Sequence, residues 1–192
     1  ALVAALDELW GRRLVRVQNA DDYDFSHGRI REVAYAQVSP TRRRLLHGRI
    51  AVALEQLHTD DLDTVAGELA AHSEQAGLRQ QAAGYYARAA ESAHRLLAYP
   101  EMAAFLQKQL SLLDSLPATP ENLAQQLDTL SRLGGALLIV KGLTAPEVEA
   151  TLRSARTLCE LVDDADKRFE VLHALRFYWG QRCQWDEAAQ LN

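Results

Sequence analysis

YDFSHGRIREVAYAQVSPTRRRLLHGRIAVALEQLH, residues Tyr23 to His58, is the stretch on which the reading of this chain turns. Just before it, LVRVQ alternates apolar and polar residues, NADD supplies turn chemistry, and YDF resumes the alternation. That order predicts a small β-hairpin within about residues 14–26. Ile30, Val33, Ala34 and Val38 then recur at helical spacing. Pro40 opens the next helix from its first position, with Ser39 as the N-cap. Along that helix Leu45, Leu46, Ile50, Leu54 and Leu57 form one apolar stripe, expected to be the packed face.

Upstream, Leu2, Ala5, Leu6 and Leu9 share a helical face and Gly11 ends it. Downstream of His58 the pattern changes to helices alone, expected at about 62–76, 79–97, 100–116, 121–140, 145–162 and 167–182, with another starting near Trp185. The breaks have chemical causes: Gly77 after an apolar stripe, Tyr99-Pro100, Pro117 to Pro120, and Gly142 to Pro146. Short joins make consecutive helices antiparallel. Ala82, Ala83, Ala87, Ala89, Ala90 and Ala93 allow close backbone approach, while Tyr86, Leu96, Phe105 and Leu113 are expected to fill what remains. A turn followed by Glu-Ala occurs in YPEMAAF and again in QWDEAAQ, with Ala103 and Ala188 lying 85 residues apart, about two repeats of the longer helix-pair type. The expected fold is therefore all-α, an antiparallel helix-pair solenoid of tetratricopeptide-like kind. A smaller unit with a β-hairpin precedes it, and the division is placed at 1–60 and 61–192.

Three groups of residues in this chain resemble one family. They are Phe25-Ser26-His27 with Ile30-Arg31-Glu32-Val33-Ala34-Tyr35; Arg42-Arg43-Arg44-Leu45-Leu46-His47; and Ala71-His72-Ser73-Glu74-Gln75-Ala76-Gly77. Together they resemble the STAND class of signalling ATPases, above all the large bacterial regulators that join a P-loop ATPase to tetratricopeptide-type repeats. The resemblance implies that residues 1–60 are the back half of a winged helix and that the rest is a regulatory arm. It also implies that ATP or ADP is bound by the parent protein rather than by this piece, and that the upstream ATPase domain is a partner. His27 corresponds to the histidine that approaches the bound diphosphate in the inactive state, and Gly28 stands where the family motif continues with Asp. An imidazole at a helix N-terminus suits phosphate oxygens. Transcriptional activation is the first expected output of such a parent, and a cyclase or protein-kinase output the second.

Charge limits the alternatives. Residues through Asp60 hold nine Arg and Lys against eight Asp and Glu, and the remainder holds twelve against eighteen. A general polyanion-binding role is thereby disfavoured. The densest basic run, Arg42, Arg43 and Arg44 with His47 and Arg49, and the smaller group Arg12, Arg13 and Arg16 are the candidates for gripping DNA phosphates. A solvated or docking face explains them more economically. Tyr178, Trp179 and Trp185, beside Phe177, are candidates for a partner or ligand surface, although aromatics at helical spacing are commonly core.

Catalytic and metal signatures are missing. There is no Gly-rich phosphate loop with Lys, no HExxH around His72 and Glu74, and no nucleophile elbow. Asp163, Asp164 and Asp166 lack the Gly and distant Glu of a calcium loop. Gly134-Gly135, inside a leucine-rich helix, reads as a close-packing point or a kink. Cys159 and Cys183 fit no metal spacing and read as thiols of a reducing cytoplasm. No stretch is long and apolar enough for a membrane span. The chain starts at Ala1 without Met and stops after WDEAAQL, so it reads as a piece of a longer protein. The expected work is non-catalytic: binding a protein partner or inducer on the repeat surface. Self-association is expected through Phe169, Leu172, Leu175, Tyr178 and Trp179 at the C-terminal end.

Overall fold

A computed structural model describes residues 2–19, 22–162 and 165–183. The chain forms two compact units, divided between Leu45 and Leu46.

The first unit begins with helix α1, Leu2–Gly11, followed by strands β1, Val15–Asn19, and β2, Asp22–Phe25. The strands pair antiparallel with Val15 opposite Phe25, Arg16 opposite Asp24 and Val17 opposite Tyr23, and the register shifts between Val17 and Asn19. Of the turn expected over Asn19 to Asp22, Asn19 and Asp22 belong to the strands and residues 20 and 21 lie outside the described ones. Helix α2, Gly28–Gln37, follows with no buried residue, and Val15 is the one buried side chain of this unit among those described. The apolar spacing of Ile30, Val33 and Ala34 thus marks a helix whose Val33 faces solvent.

Helix α3, Pro40–Leu57, starts where Ser39-Pro40 predicts, with the Arg42 amide donating to Ser39 Oγ. Its packed face differs from the expected one. Leu45 is 63% exposed and Leu57 78%, and Leu46 and Ile50 also face solvent, whereas Ala51 is buried beside half-buried Leu54. Small residues explain the reversal. The position a Cβ would take on Gly48 lies 3.7 Å from Ala76 Cβ, and Ala51 packs with Val65 and Leu69. Gly48 and Ala51 let α3 come close to the next helix, and dispersion contacts reward that closeness more than larger side chains held further apart. The C-terminal part of α3 therefore packs as the first helix of the second unit, which places the division earlier than 60/61.

The second unit continues through α4 (Leu62–Ala76), α5 (Arg79–Arg95), α6 (Tyr99–Asp114), α7 (Pro120–Lys141), α8 (Pro146–Cys159) and α9 (Ala165–Gln181). These match the expected helices to within a few residues, and the helix expected near Trp185 lies outside the described residues. Gly77 ends α4 at φ 81°, a conformation with little steric cost only for glycine. Thr119 caps α7 by accepting from the Asn122 amide, and buried Asn122 donates from Nδ2 to the carbonyls of Leu113 and Pro117, closing the α6–α7 turn.

Each helix packs on its neighbours in sequence, as in a helical solenoid. Ala82 and Ala83 of α5 pack with Tyr86, Leu112 and Leu113, while Ala90 and Ala93 join the main core, which runs through Leu106, Leu127, Leu133, Val148, Leu152 and Leu175. Leu96, expected as filler, is 79% exposed because it is the C-cap of α5 and has left the helical face. Gly134 is the close-packing point anticipated: a Cβ there would lie 2.8 Å from Leu152 Cδ2, and α7 runs through it unbroken. Polar ties also skip a helix. Tyr85 of α5 donates to Glu55 of α3 at 2.8 Å, Arg132 of α7 meets Glu91 of α5 at 2.7 Å, and Lys167 of α9 meets Asp128 of α7 at 2.9 Å.

Candidate functional site

His27 sits at the N-cap of α2 in extended conformation, with φ −142° and ψ 136°, and makes no side-chain cap bond. Its backbone carbonyl accepts from Ile30 and Arg31, and its imidazole is exposed. An uncapped first turn beside a ring that can donate is chemically able to meet an anionic oxygen.

Three arginines of the first unit, Arg12, Arg16 and Arg43, have side-chain partners. Arg12 pairs with Glu8 at 2.7 Å, and Arg16 reaches Asp24 across the hairpin at 3.5 Å. Arg13 takes a left-handed conformation, φ 56°, in the turn between α1 and β1. Arg43 has the most specific role. Its Nε donates to Val38 O at 2.7 Å, its Nη2 donates to Ala36 O at 3.1 Å, and its guanidinium lies 4.7 Å from the Tyr35 ring centre. One side chain of α3 thereby satisfies carbonyls at the end of α2, where the helix leaves them unbonded. Arg42 and Arg44 are exposed, with no ion pair among the described residues. The run of three arginines therefore divides into one structural cap and two surface charges.

In the second unit, His47 of α3 and His72 of α4 touch, Nδ1 to Nδ1 at 2.8 Å with ring centres 5.0 Å apart. One nitrogen must carry the proton and the other accept it. Burial, followed by the proximity of His72, holds the His47 pKa below its ordinary value. Nearby, Tyr86 donates to Glu74 at 2.7 Å, and Lys108 approaches the same carboxylate at 3.5 Å. Burial and then the Glu74 bond push the Tyr86 phenol well above its ordinary pKa. Asp63 takes ion pairs from both Arg88 and Arg95, which hold its carboxyl below the usual range, Arg88 foremost.

Of the aromatic surface expected at the C-terminal end, Tyr178 and Trp179 are buried while Phe177 is exposed. Tyr178 and Trp179 are each 1% exposed, packed into the core with Leu175 and Val171, with Arg153 stacked 4.9 Å from the Trp179 ring. Helical spacing from Leu175 turns them inward, so Leu175, Tyr178 and Trp179 do not lie on the exposed face expected of them. Leu172 is half-buried and Phe169 is exposed. Trp185 lies outside the described residues, as do Asp163 and Asp164.

Two grooves mark the repeat surface. One, of about 520 Å³, lies between α4 and α6 with Gly67, Ala71, Leu96 and Phe105 in its walls. The other, of about 430 Å³, lies between α5 and α7 with Gln109 of α6 at its floor. Gln109 went unnoticed in the sequence, although it falls in register with Met102, Leu106 and Leu113 on the buried face of α6. A polar residue on a buried stripe is the signal that could have found it. Among the described residues no group of three or more His, Cys, Asp or Glu is placed to hold a metal ion, and no helix is long and apolar enough to cross a membrane. Cys159 is buried and Cys183 exposed, and the two do not form a disulfide with each other.

No protein-family model matches the chain. Over 131 residues, 68% of this chain, it is 30% identical to an uncharacterized protein of Rhizobium meliloti (strain 1021). The match occupies 13% of that protein's length, so the chain corresponds to a small part of that relative.

Proposed function

We propose that this chain is a non-catalytic regulatory arm of a multidomain signalling ATPase of the STAND type. It would bind a protein partner or inducer on its helical repeats and relay that event to a nucleotide-controlled core elsewhere in the parent. A transcriptional output is the first choice, and a cyclase- or kinase-linked output the second. The observation that carries the reading is the contact between His47 and His72. It joins two of the three sequence groups that resemble the regulator family, at the point where α3 meets α4. The much greater length of the similar Rhizobium meliloti protein is in keeping with a chain that works as one part of something larger.

In this reading His27, with the first-turn amides of α2, is the group that would meet the diphosphate of ADP held by the parent's phosphate loop. Its exposed, uncapped position fits such a contact. The nucleotide supplies the state-dependent anion; His27 supplies a donor at its edge. A DNA-binding role is the weaker reading, since Arg12, Arg16 and Arg43 already have partners within their own unit. Loss of DNA binding with rising salt, dependent on Arg42 and Arg44, would restore it.

The test is made in the parent protein. His27→Ala should raise basal output and loosen ADP retention, while replacement of residues 46–183 by an unrelated helical repeat should abolish the response to inducer. Unchanged basal output with unchanged ADP retention would remove His27 from the mechanism. A full inducer response after the replacement would end the proposal.

A further inference from the structure

The groove between α5 and α7 has walls of small residues, Gly84 and Ala87 on α5 among them, and a polar lining of Gln80, Gln109, Gln125 and Asp128. A Cβ added to Gly84 would meet nothing within 4 Å, so the opening is real space rather than a seam between touching helices. At the floor, Gln109 is 8% exposed and its Oε1 is buried without a hydrogen-bond partner among the described residues. A buried amide left unpaired opposes folding. An apolar side chain would suit the same position of α6, between Leu106 and Leu113, better for packing alone. The amide is therefore out of place unless something supplied from the groove completes it.

The chemistry of the lining says what that is. Asp128 is matched by Lys167 at 2.9 Å, so the groove offers no unbalanced charge to a cation or an anion. A primary amide carries an acceptor oxygen and a two-hydrogen donor, and its complement is another amide paired through two reciprocal bonds. A half-turn of the Gln109 end group exchanges oxygen for nitrogen without moving the rest of the side chain, so either can be presented. Asp128 also lines a second hollow of about 280 Å³ that includes Ser131, whose buried hydroxyl has no partner either. Two adjoining hollows with unpaired polar groups suit an extended segment rather than a single small molecule.

We infer that the α5–α7 groove binds a neutral, amide-bearing peptide segment, with Gln109 pairing to the carboxamide of a Gln or Asn side chain. This rests on the reading of the repeat region as a partner-binding arm and specifies where and what it binds. Gln80 and Gln125 flank the pair from the two walls, and the small residues leave room for the peptide backbone.

The full chain, isotope-labelled, is titrated with a blocked peptide containing two glutamines and, in parallel, with the same peptide carrying Glu at those positions. Saturable shifts of the Gln109 and Gln125 side-chain amides are expected with the first, and binding about tenfold or more weaker with the second, the scale of one lost hydrogen-bonded contact. Gly84→Leu fills the open space on a helix it also favours, so it should abolish binding while leaving the fold intact. Gln109→Leu should abolish binding and raise the unfolding midpoint. The inference is overturned by no saturable shift, by equal binding of the Glu peptide, or by unaltered binding to Gly84→Leu. A lowered midpoint in Gln109→Leu would overturn it too, since the amide would then be satisfied within the fold. If a natural partner binds residues 46–183 and ignores Gly84→Leu, this site fails and the arm remains; if none binds anywhere on them, the arm itself fails.

Discussion

Two leucines, substituted one at a time, test the packing directly. Leu106 of α6 has no exposed surface and sits in the main core, whereas Leu57 at the end of α3 is 78% exposed although its spacing assigns it to a buried stripe. Leu106→Ala removes fully buried methyl groups and leaves a cavity between α5 and α7, at a cost of about 2–5 kcal/mol. Leu57→Ala removes a side chain only about a fifth buried. A fifth of the roughly 1.5–3 kcal/mol for full burial gives about 0.3–0.6 kcal/mol. Urea unfolding of both variants provides the totals. Hydrogen exchange provides the distribution, because in a stack held by nearest neighbours the loss should fall on α5, α6 and α7 before α9. Equal destabilisation by the two substitutions would refute the assignment of the α3 face. A Leu106→Ala loss spread evenly over α4 to α9 would refute the picture of packing dominated by sequence neighbours.

Three further outcomes follow from individual contacts. Arg43→Gln should lower amide protection in the last turn of α2 while leaving α5 to α8 unchanged, because the lost bonds are to Val38 and Ala36 carbonyls; unchanged protection throughout would show that the cap is dispensable. His47 has a folded pKa below its ordinary value of 6.5, so the unfolded chain takes up the proton first and stability falls as pH drops through 6.5 towards the folded value. His47→Gln should flatten that decline in urea unfolding measured between pH 7.5 and pH 5.5, roughly the span in which an ordinary histidine titrates; an unchanged slope would remove the pair from the account. Gly134→Leu should separate α7 from α8 and cost about 1–3 kcal/mol as an overpacked core does, since even a Cβ would approach Leu152 Cδ2 to 2.8 Å; a neutral result in thermal unfolding would show that Leu152 can move aside.

The helices were legible because their ends are written in local chemistry. Gly77, Pro100, Pro120 and Pro146 act through backbone geometry, which needs no knowledge of the rest of the fold. The inward turn of Leu175, Tyr178 and Trp179 follows the same helical period as the core around it. The α3 face was not legible, because hydrophobicity ranked the leucines above Gly48 and Ala51 while closeness of approach decided the packing. Arg43 was hidden for a related reason: its partners are carbonyls, which carry no sequence identity. At the candidate site, Gln109 sat in plain register with Leu106 and Leu113, but the groove above it depends on helices brought together only in three dimensions.

The polar ties that skip a helix, from α3 to α5, α5 to α7 and α7 to α9, have a mechanical consequence. They act like guy-lines on one side of the stack, resisting any bend that would splay the odd-numbered helices apart. The two ion pairs among them, Arg132–Glu91 and Lys167–Asp128, contribute only about 0–1 kcal/mol each and weaken as counterions gather around them. Their sum sets a stiffness that salt can tune without unfolding anything. A stack tied in this way would carry a pull applied at α9 back toward α3, and would carry it less faithfully at high ionic strength.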